Sequence, residues 1–348
     1  MQSPSQTLPE DAAWMRRALA LARRAWGRTS PNPLVGAVVV RDGALAGAGW
    51  HRRAGTPHAE VHALAAAGAA ARGATLYVTL EPCCTTGRTP PCTETILRAG
   101  IRRVVVGCAD PNPQHAGRGL EQLRAAGIEV VCGVEETACR RLNEAFFHWI
   151  TTGRPFVLLK MAMTLDGRIA TAGGESQWIT GPPARARVQR LRQGADAILV
   201  GGETVRRDDP ALMVRTPQRW WRQPRKLVWT RRPPESYPAA LKIWADPANP
   251  PEFAHPATAA EWDALLRNLG GRGVTALLVE GGGELAGALL RAGAVNRVEF
   301  HVASKLLGGR GSRPVVGGPD PAYLTEALPL RELETRRLGE DVLITGLL

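Results

Sequence analysis

The chain has 348 residues, too many for one ordinary core and about right for two. Hydrophobic residues make up 44% and charged residues 22%, which excludes wholesale disorder. The 44 Lys+Arg against 32 Asp+Glu leave a net charge of +12. That excess is spread over both halves without a like-charged block, so it points to solubility or small anionic ligands rather than nucleic acid.

Taken in order, residues 1–10 read as a flexible N-terminal segment. They lack the basic-then-apolar pattern of a secretory signal, and no apolar run nears the ~18 residues of a membrane span. A cytoplasmic protein with no membrane partner is expected. Asp11–Trp26 has apolar residues at helical spacing, and Leu34–Val40 is a β-branched strand closed by the Asp42-Gly43 turn. Ala59–Ala71 reads as helix, Thr75–Leu80 as strand, Thr93–Ala99 as helix and Arg103–Gly107 as strand. Leu120–Ala126 and Glu129–Cys132 repeat the helix–strand alternation. The turn-rich Thr151–Pro155 separates a first domain, 11–150, from a second, 154–348. In the second, strands are expected at Phe156–Met161, Ala197–Val200, Lys226–Trp229, Thr275–Val279 and Arg297–Val302. Helices are expected at Pro183–Arg192, Glu261–Leu269 and Glu284–Arg291, with a Pro-rich loop over 231–256. Both halves are therefore α/β layers around a sheet.

All six cysteines fall between Cys83 and Cys139. In a chain of this size and class, that clustering suits metal binding or core packing better than a disulfide framework. Pro57-His58-Ala59-Glu60, Glu81-Pro82-Cys83 and Pro91-Cys92 supply one imidazole, two thiolates and a carboxylate. Three ligands with a fourth position open is the donor set of a catalytic zinc, which makes water a nucleophile near neutral pH. Glu60, not a ligand, would carry the proton. This is the H-x-E and P-C pattern of zinc deaminases, with eight residues between Cys83 and Cys92 where two are usual. Gly87 and Pro90-Pro91 would help that loop turn. Side chains two apart in a helix point to nearly opposite faces, so His58 should sit in a helix's first turn. Cys84 is a rival ligand to Cys83. Cys108, Cys132 and Cys139 read as core residues, His62 as packing and His51 as a substrate contact.

In the second half, Leu277–Glu280 followed by Gly281-Gly282-Gly283 and a helix is a strand–glycine–helix junction, open to a phosphate or simply a tight turn. Thr164–Gly167 and Asp208-Asp209-Pro210 are turn-like in the same way.

The whole chain resembles the bifunctional deaminase–reductase family of riboflavin biosynthesis. The resemblance rests on Pro31–Gly36, PHAEVHAL (57–64), YVTLEPC (77–83), GRTPPC (87–92) and DPNPQHAGRG (110–119) in the first half. In the second it rests on KMAMTLDGRIA (160–170), GESQWIT (174–180), TVRRDDPALMVR (204–215) and LLVEGGGELAGALL (277–290). It implies a cytidine-deaminase-like three-layer domain followed by a dihydrofolate-reductase-like α/β domain. It implies zinc-dependent deamination of a phosphorylated diaminopyrimidine, then NADPH-dependent reduction of its ribosyl group. Small phosphorylated pyrimidines would be the partners, with homo-oligomerisation left open. Zinc would lie on His58, Cys83 and Cys92, with Glu60 as proton shuttle and Asn32 and His51 in the same pocket. NADPH would meet Ala162, Trp178, Thr204, Asp208, Arg231, Gly282 and Gly283. The reductase substrate would meet Ser176, Arg192, Leu212, Arg215 and Glu280, with Arg192 and Arg215 gripping its phosphate. One departure stands out: the family reads C-S-H where this chain has Cys83-Cys84-Thr85, so a pocket histidine is absent at position 85. A reductase with a weakened or redirected deaminase is therefore one alternative, and a nucleic-acid-acting deaminase a more distant one.

Overall fold

The computed structural model describes residues 7–86, 90–218 and 220–348. Most of the N-terminal segment, Gly87 and Arg219 lie outside these. The chain divides into two compact units, 1–153 and 154–348.

The first unit runs α1 (Asp11–Ala22), β1 (Gly36–Arg41), β2 (Ala44–Trp50), α2 (Ala59–Ala67), β3 (Thr75–Val78), α3 (Cys92–Arg98), β4 (Arg103–Val106), α4 (Arg118–Ala125), β5 (Glu129–Cys132), α5 (Glu136–Leu142) and α6 (Glu144–Thr152). Its sheet has the order β2-β1-β3-β4-β5. The pair β1–β2 and the pair β1–β3 are antiparallel, and β3-β4-β5 run parallel. Strand alternation splits the core into two faces. Ala37, Val39, Leu76, Val78 and Val104 pack under α2, α3 and α4. Val38, Val40, Tyr77, Val105 and Val131 pack against α1, α5 and α6. The result is three layers. Asp11 opens α1 fully buried, gripped at 2.8 Å by both arms of Arg103 and at 2.9 Å by the Tyr77 hydroxyl.

β2 is absent from the expected elements because ALAGAGW has neither alternation nor β-branched residues. Its glycines serve a close approach instead. A Cβ on Gly47 would lie 2.2 Å from the Ala63 carbonyl oxygen, and one on Gly49 would lie 2.5 Å from that of Ala59. Thus α2 lies nearly backbone to backbone on the strand. Cys132 is exposed, not core: it ends β5, the edge strand. Cys108 and Cys139 are buried as expected.

The second unit runs β6 (Phe156–Thr164), β7 (Arg168–Ala170), α7 (Pro182–Gly194), β8 (Ala197–Gly201), α8 (Gly202–Asp208), β9 (Arg225–Trp229), β10 (Glu252–Ala254), α9 (Ala259–Gly271), β11 (Ala276–Glu280), α10 (Gly283–Arg291), β12 (Arg297–Ala303), β13 (Arg313–Pro314), β14 (Arg331–Leu338) and β15 (Asp341–Leu347). The main sheet has the order β10-β9-β8-β11-β6-β12-β15-β14. Neighbouring strands are parallel from β10 to β12, and β15 and β14 close the sheet antiparallel. One face packs on α9 and α10 through Val157, Leu159, Leu277, Val279, Trp262 and Leu285. The other meets Leu191 of α7 through Ile198, Val200 and Leu278. The expected loop over 231–256 holds only short 3-10 turns and β10. The buried Lys226 ammonium pins it by donating to the Ile243 carbonyl at 2.7 Å.

Candidate active sites

The first site gathers at one end of α2. His58 is the N-cap of that helix, with extended backbone (φ −75°, ψ 169°). It therefore stands one residue ahead of the expected first turn. That break in helical geometry lets His58 and Glu60 converge despite their spacing of two. Cys92 is the first residue of α3, and its amide donates to Cys83 Sγ at 3.4 Å. His58 Nδ1 lies 3.2 Å from Cys92 Sγ and 3.5 Å from Cys83 Sγ. All three donor atoms fall within 4.8 Å of one another. Glu60 is buried beside them, and its Oε2 has no hydrogen-bond partner among the described residues. Burial, with Cys83's charge adding to it, pushes the Glu60 carboxyl above its ordinary range. The Cys92 thiol beside Cys83 holds that thiol well below its ordinary range, at about 4. One imidazole, two close sulfurs, one of them acidified, and an orphaned carboxylate oxygen fit a zinc ion.

His51 and Asn32 join this group. The His51 and His58 rings meet edge to face at 5.3 Å. Burial lowers the His51 pKa to about 4, so the ring is neutral at pH 7. Its Nδ1 faces the Pro57 carbonyl at 3.3 Å, and a carbonyl only accepts, so Nδ1 carries the proton. Nε2 then accepts from Asn32 Nδ2 at 3.2 Å, leaving Asn32's Oδ1 and second N–H for another ligand. Cys84 Sγ turns instead to His115 Nδ1, 3.7 Å away. His62 Nε2 is buried without a hydrogen bond among the described residues.

The second site is a cavity of about 1,040 Å³ at the carboxyl ends of β6, β8, β9 and β11, the usual ligand position in a parallel sheet. The seven cofactor candidates, Ala162, Trp178, Thr204, Asp208, Arg231, Gly282 and Gly283, all line it. So do the five substrate candidates, Ser176, Arg192, Leu212, Arg215 and Glu280. Gly281 and Gly282 hold φ of +74° and +90°, and a Cβ on Gly283 would come within 2.6 Å of the Pro314 carbonyl oxygen. These residues lead into α10, whose N-terminus offers amides to a phosphate, so the lining fits a dinucleotide.

One expectation needs correction. Arg192 is no free phosphate grip. Its side chain is 10% exposed, and its guanidinium forks onto Glu280 with two bonds of 2.7 Å and donates to the Met213 carbonyl at 3.0 Å. That leaves Arg215, whose guanidinium makes no hydrogen bond among the described residues. The Thr164–Gly167 segment is a turn outside the cavity lining. Its Asp166 carboxylate accepts from Thr164 Oγ1 and from the Leu307 and Gly308 amides. Ser176 and Asp208, assigned to different ligands, are bonded to each other at 2.8 Å.

Comparison with known proteins agrees with both geometries. Residues 8–108 match the cytidine and deoxycytidylate deaminase zinc-binding region, and residues 155–344 match the RibD C-terminal domain. The chain is 42% identical to the riboflavin biosynthesis protein RibD of Actinobacillus pleuropneumoniae, over 96% of this chain and 94% of the relative. The chain belongs to the RibD family. The Escherichia coli RibD is also 42% identical, over 96% of this chain and 98% of its own. Acinetobacter baumannii RibD superposes with a TM-score of 0.88 at 39% identity, covering 98% of this chain and 99% of that one. A Thermotoga maritima structure described as a diaminohydroxyphosphoribosylaminopyrimidine deaminase/5-amino-6-(5-phosphoribosylamino)uracil reductase superposes with a TM-score of 0.87 at 35% identity, covering 97% and 98%.

Several buried charged networks escaped the sequence reading. The Glu81 carboxylate accepts the amides of Asp110 and Gly117 at 3.0 Å each and of Gly119 at 2.9 Å, tying the 110–119 loop to the Cys83 segment. In the second RibD-family unit, Arg187 of α7 forks onto buried Glu299 with two bonds of 2.9 Å, and His301 Nε2 meets the same carboxylate at 2.9 Å. Lys160 lies between Glu280 and Glu299 in strand register. Charges inside otherwise apolar strands, as in FVLLKMAM and VEFHV, are the signal that could have found them.

Proposed function

We propose that this chain deaminates 2,5-diamino-6-ribosylamino-4(3H)-pyrimidinone 5′-phosphate hydrolytically in its first unit. Its second unit then reduces 5-amino-6-(5-phosphoribosylamino)uracil with NADPH to the ribitylamino product. The observation that carries this reading is the pairing, in one chain, of a three-donor cluster beside an orphaned carboxylate with a dinucleotide-sized cavity. Zinc held by His58, Cys83 and Cys92 supplies Lewis acidity that makes water nucleophilic near neutral pH. Glu60 takes a proton from water and hands it to the departing amine. Its burial raises its pKa above the ordinary carboxylate range, which favours its holding the proton between the two transfers. Asn32, oriented by the fixed His51 tautomer, presents Oδ1 and an N–H to the pyrimidine edge.

In the second unit NADPH supplies the reducing equivalents. Gly282 and Gly283 let its phosphates approach the α10 amides. Arg231 meets the extra phosphate of the cofactor, and Ala162, Trp178, Thr204 and Asp208 line its path. Arg215 grips the substrate phosphate, while Glu280, held by Arg192, accepts from a substrate hydroxyl, with Ser176 and Leu212 alongside. The expected partners are small phosphorylated pyrimidines and the compartment the cytoplasm. Thiolate zinc ligands suit a reducing compartment, and among the described residues no helix is long and apolar enough to cross a membrane. The test is incubation with the diaminopyrimidine phosphate, following products by mass. A gain of one mass unit without NADPH and a further two with it are expected. No gain without cofactor would remove the deaminase half.

A further inference from the structure

Asn32 meets His51 from a short turn that belongs to no helix or strand. Its own amide donates to the Thr29 carbonyl at 2.8 Å, closing the turn on the entry side. On the exit side the Val35 carbonyl accepts from the His51 amide at 2.9 Å, just before β1 begins. Between these anchors the Leu34 backbone has no backbone partner among the described residues. One side chain takes both of its polar groups. Asn143 Oδ1 accepts from the Leu34 amide at 2.7 Å, and Asn143 Nδ2 donates to the Leu34 carbonyl at 2.9 Å. This is the reciprocal pair that a neighbouring strand would supply, made instead by a carboxamide 109 residues away. Leu34 and Asn143 are both buried, so a bond lost there is not remade with solvent. Asn143 is also the N-cap of α6, where an asparagine ordinarily turns its oxygen to the free amides of the first turn. Here the side chain makes no such bond. The helix forgoes its cap so that the carboxamide can hold Leu34.

We propose that Asn143 is a positioning residue of the deaminase site. By holding the Leu34 backbone it sets where Asn32 presents its carboxamide, and so sets substrate affinity without touching the substrate. His51 Nε2 fixes the same carboxamide from the other side at 3.2 Å. This rests on the deaminase reading of the first unit, with Asn32 as a substrate contact. The test is a double-mutant cycle on ammonia release from the diaminopyrimidine phosphate without NADPH, with zinc content and reductase rate measured for every protein. Asn143→Ala should raise KM about tenfold and leave kcat within about twofold, with zinc and reductase rate unchanged. Added to Asn32→Ala, it should raise KM by less than about twofold, because the group it positions is already gone. A residue that only supports the fold would instead cost the same in both backgrounds. Losses that multiply in the double variant, an unchanged KM in Asn143→Ala, or a fall in kcat with loss of zinc would each overturn the assignment. Should Asn143→Ala fail to fold, Asn143→Asp, which keeps the shape and the accepting oxygen but not the donor, goes through the same cycle and decides. An unchanged KM in Asn32→Ala would remove Asn32 as a contact and this inference with it, while the deaminase reading stands. A wild type that releases no ammonia overturns that reading itself.

Discussion

The two sites are built on opposite plans. The first concentrates its chemistry in four side chains on two helix starts and one loop, His58, Glu60, Cys83 and Cys92, with the donor atoms of His58, Cys83 and Cys92 within 4.8 Å of one another. The second spreads its contacts over the ends of four parallel strands and the loops after them. A hydrolytic site needs one activated water and one proton carrier. A hydride-transfer site must align two large ligands, and no single side chain does that. The concentrated site should therefore fail at single atoms, and the distributed one should lose affinity by degrees.

The sharpest way to break this contrast is Glu60→Gln. Ammonia release should fall about 10²- to 10⁴-fold, with zinc retained and the reductase rate unchanged. Unchanged release would put the proton elsewhere. Next is Arg192→Ala, which strands a buried carboxylate at Glu280 and should cost the second unit about 3–5 kcal/mol in denaturant unfolding. Arg215→Ala should cost almost no stability and raise the reductase KM for phosphorylated substrate; equal effects would erase the distinction drawn between the two arginines. Acid gives the third test. Burial pushes Glu299 up, but His301 and Arg187 outweigh it and hold the carboxyl at about 2, below its ordinary 4.5. Its stabilisation is complete above about 4.5 and is lost as pH falls through about 2, an effect of at most about 3 kcal/mol. Glu299→Gln should flatten that acid limb in unfolding measured against pH. Gly49→Ala comes fourth. A methyl 2.5 Å from the Ala59 carbonyl must push α2 off β2. That should cost about 1–3 kcal/mol and weaken zinc retention, read by thermal melting and elemental analysis. Last, Arg231→Ala should raise the KM for NADPH about tenfold and leave NADH unaffected.

The same contrast explains what could be read from residues alone. The zinc donors lie in short local motifs whose residue types the chemistry dictates, so the cluster was legible before any fold was known. The parallel strands were legible from short apolar runs such as AILV and ALLV. β2 was not, because its residues answer to the helix above rather than to strand propensity. The exposed β14, RELETRRL, reads as surface without its pairing to β15. The fate of Arg192 was hidden because its partner lies 88 residues away. A basic residue near a phosphate-binding region looks like a ligand until the carboxylate that claims it is seen. Glu81 was quoted as a motif letter, and only the structure shows the three amides it gathers.

The Arg192–Glu280 fork also constrains what molecules could block the second cavity. The guanidinium outweighs burial and keeps Glu280 charged below the ordinary carboxylate range, and an ionised carboxylate can accept hydrogen bonds but give none. An inhibitor reaching that wall should present hydroxyl or amino hydrogens there and keep its acidic end for Arg215. A compound with those two ends exchanged would be turned away by charge alone.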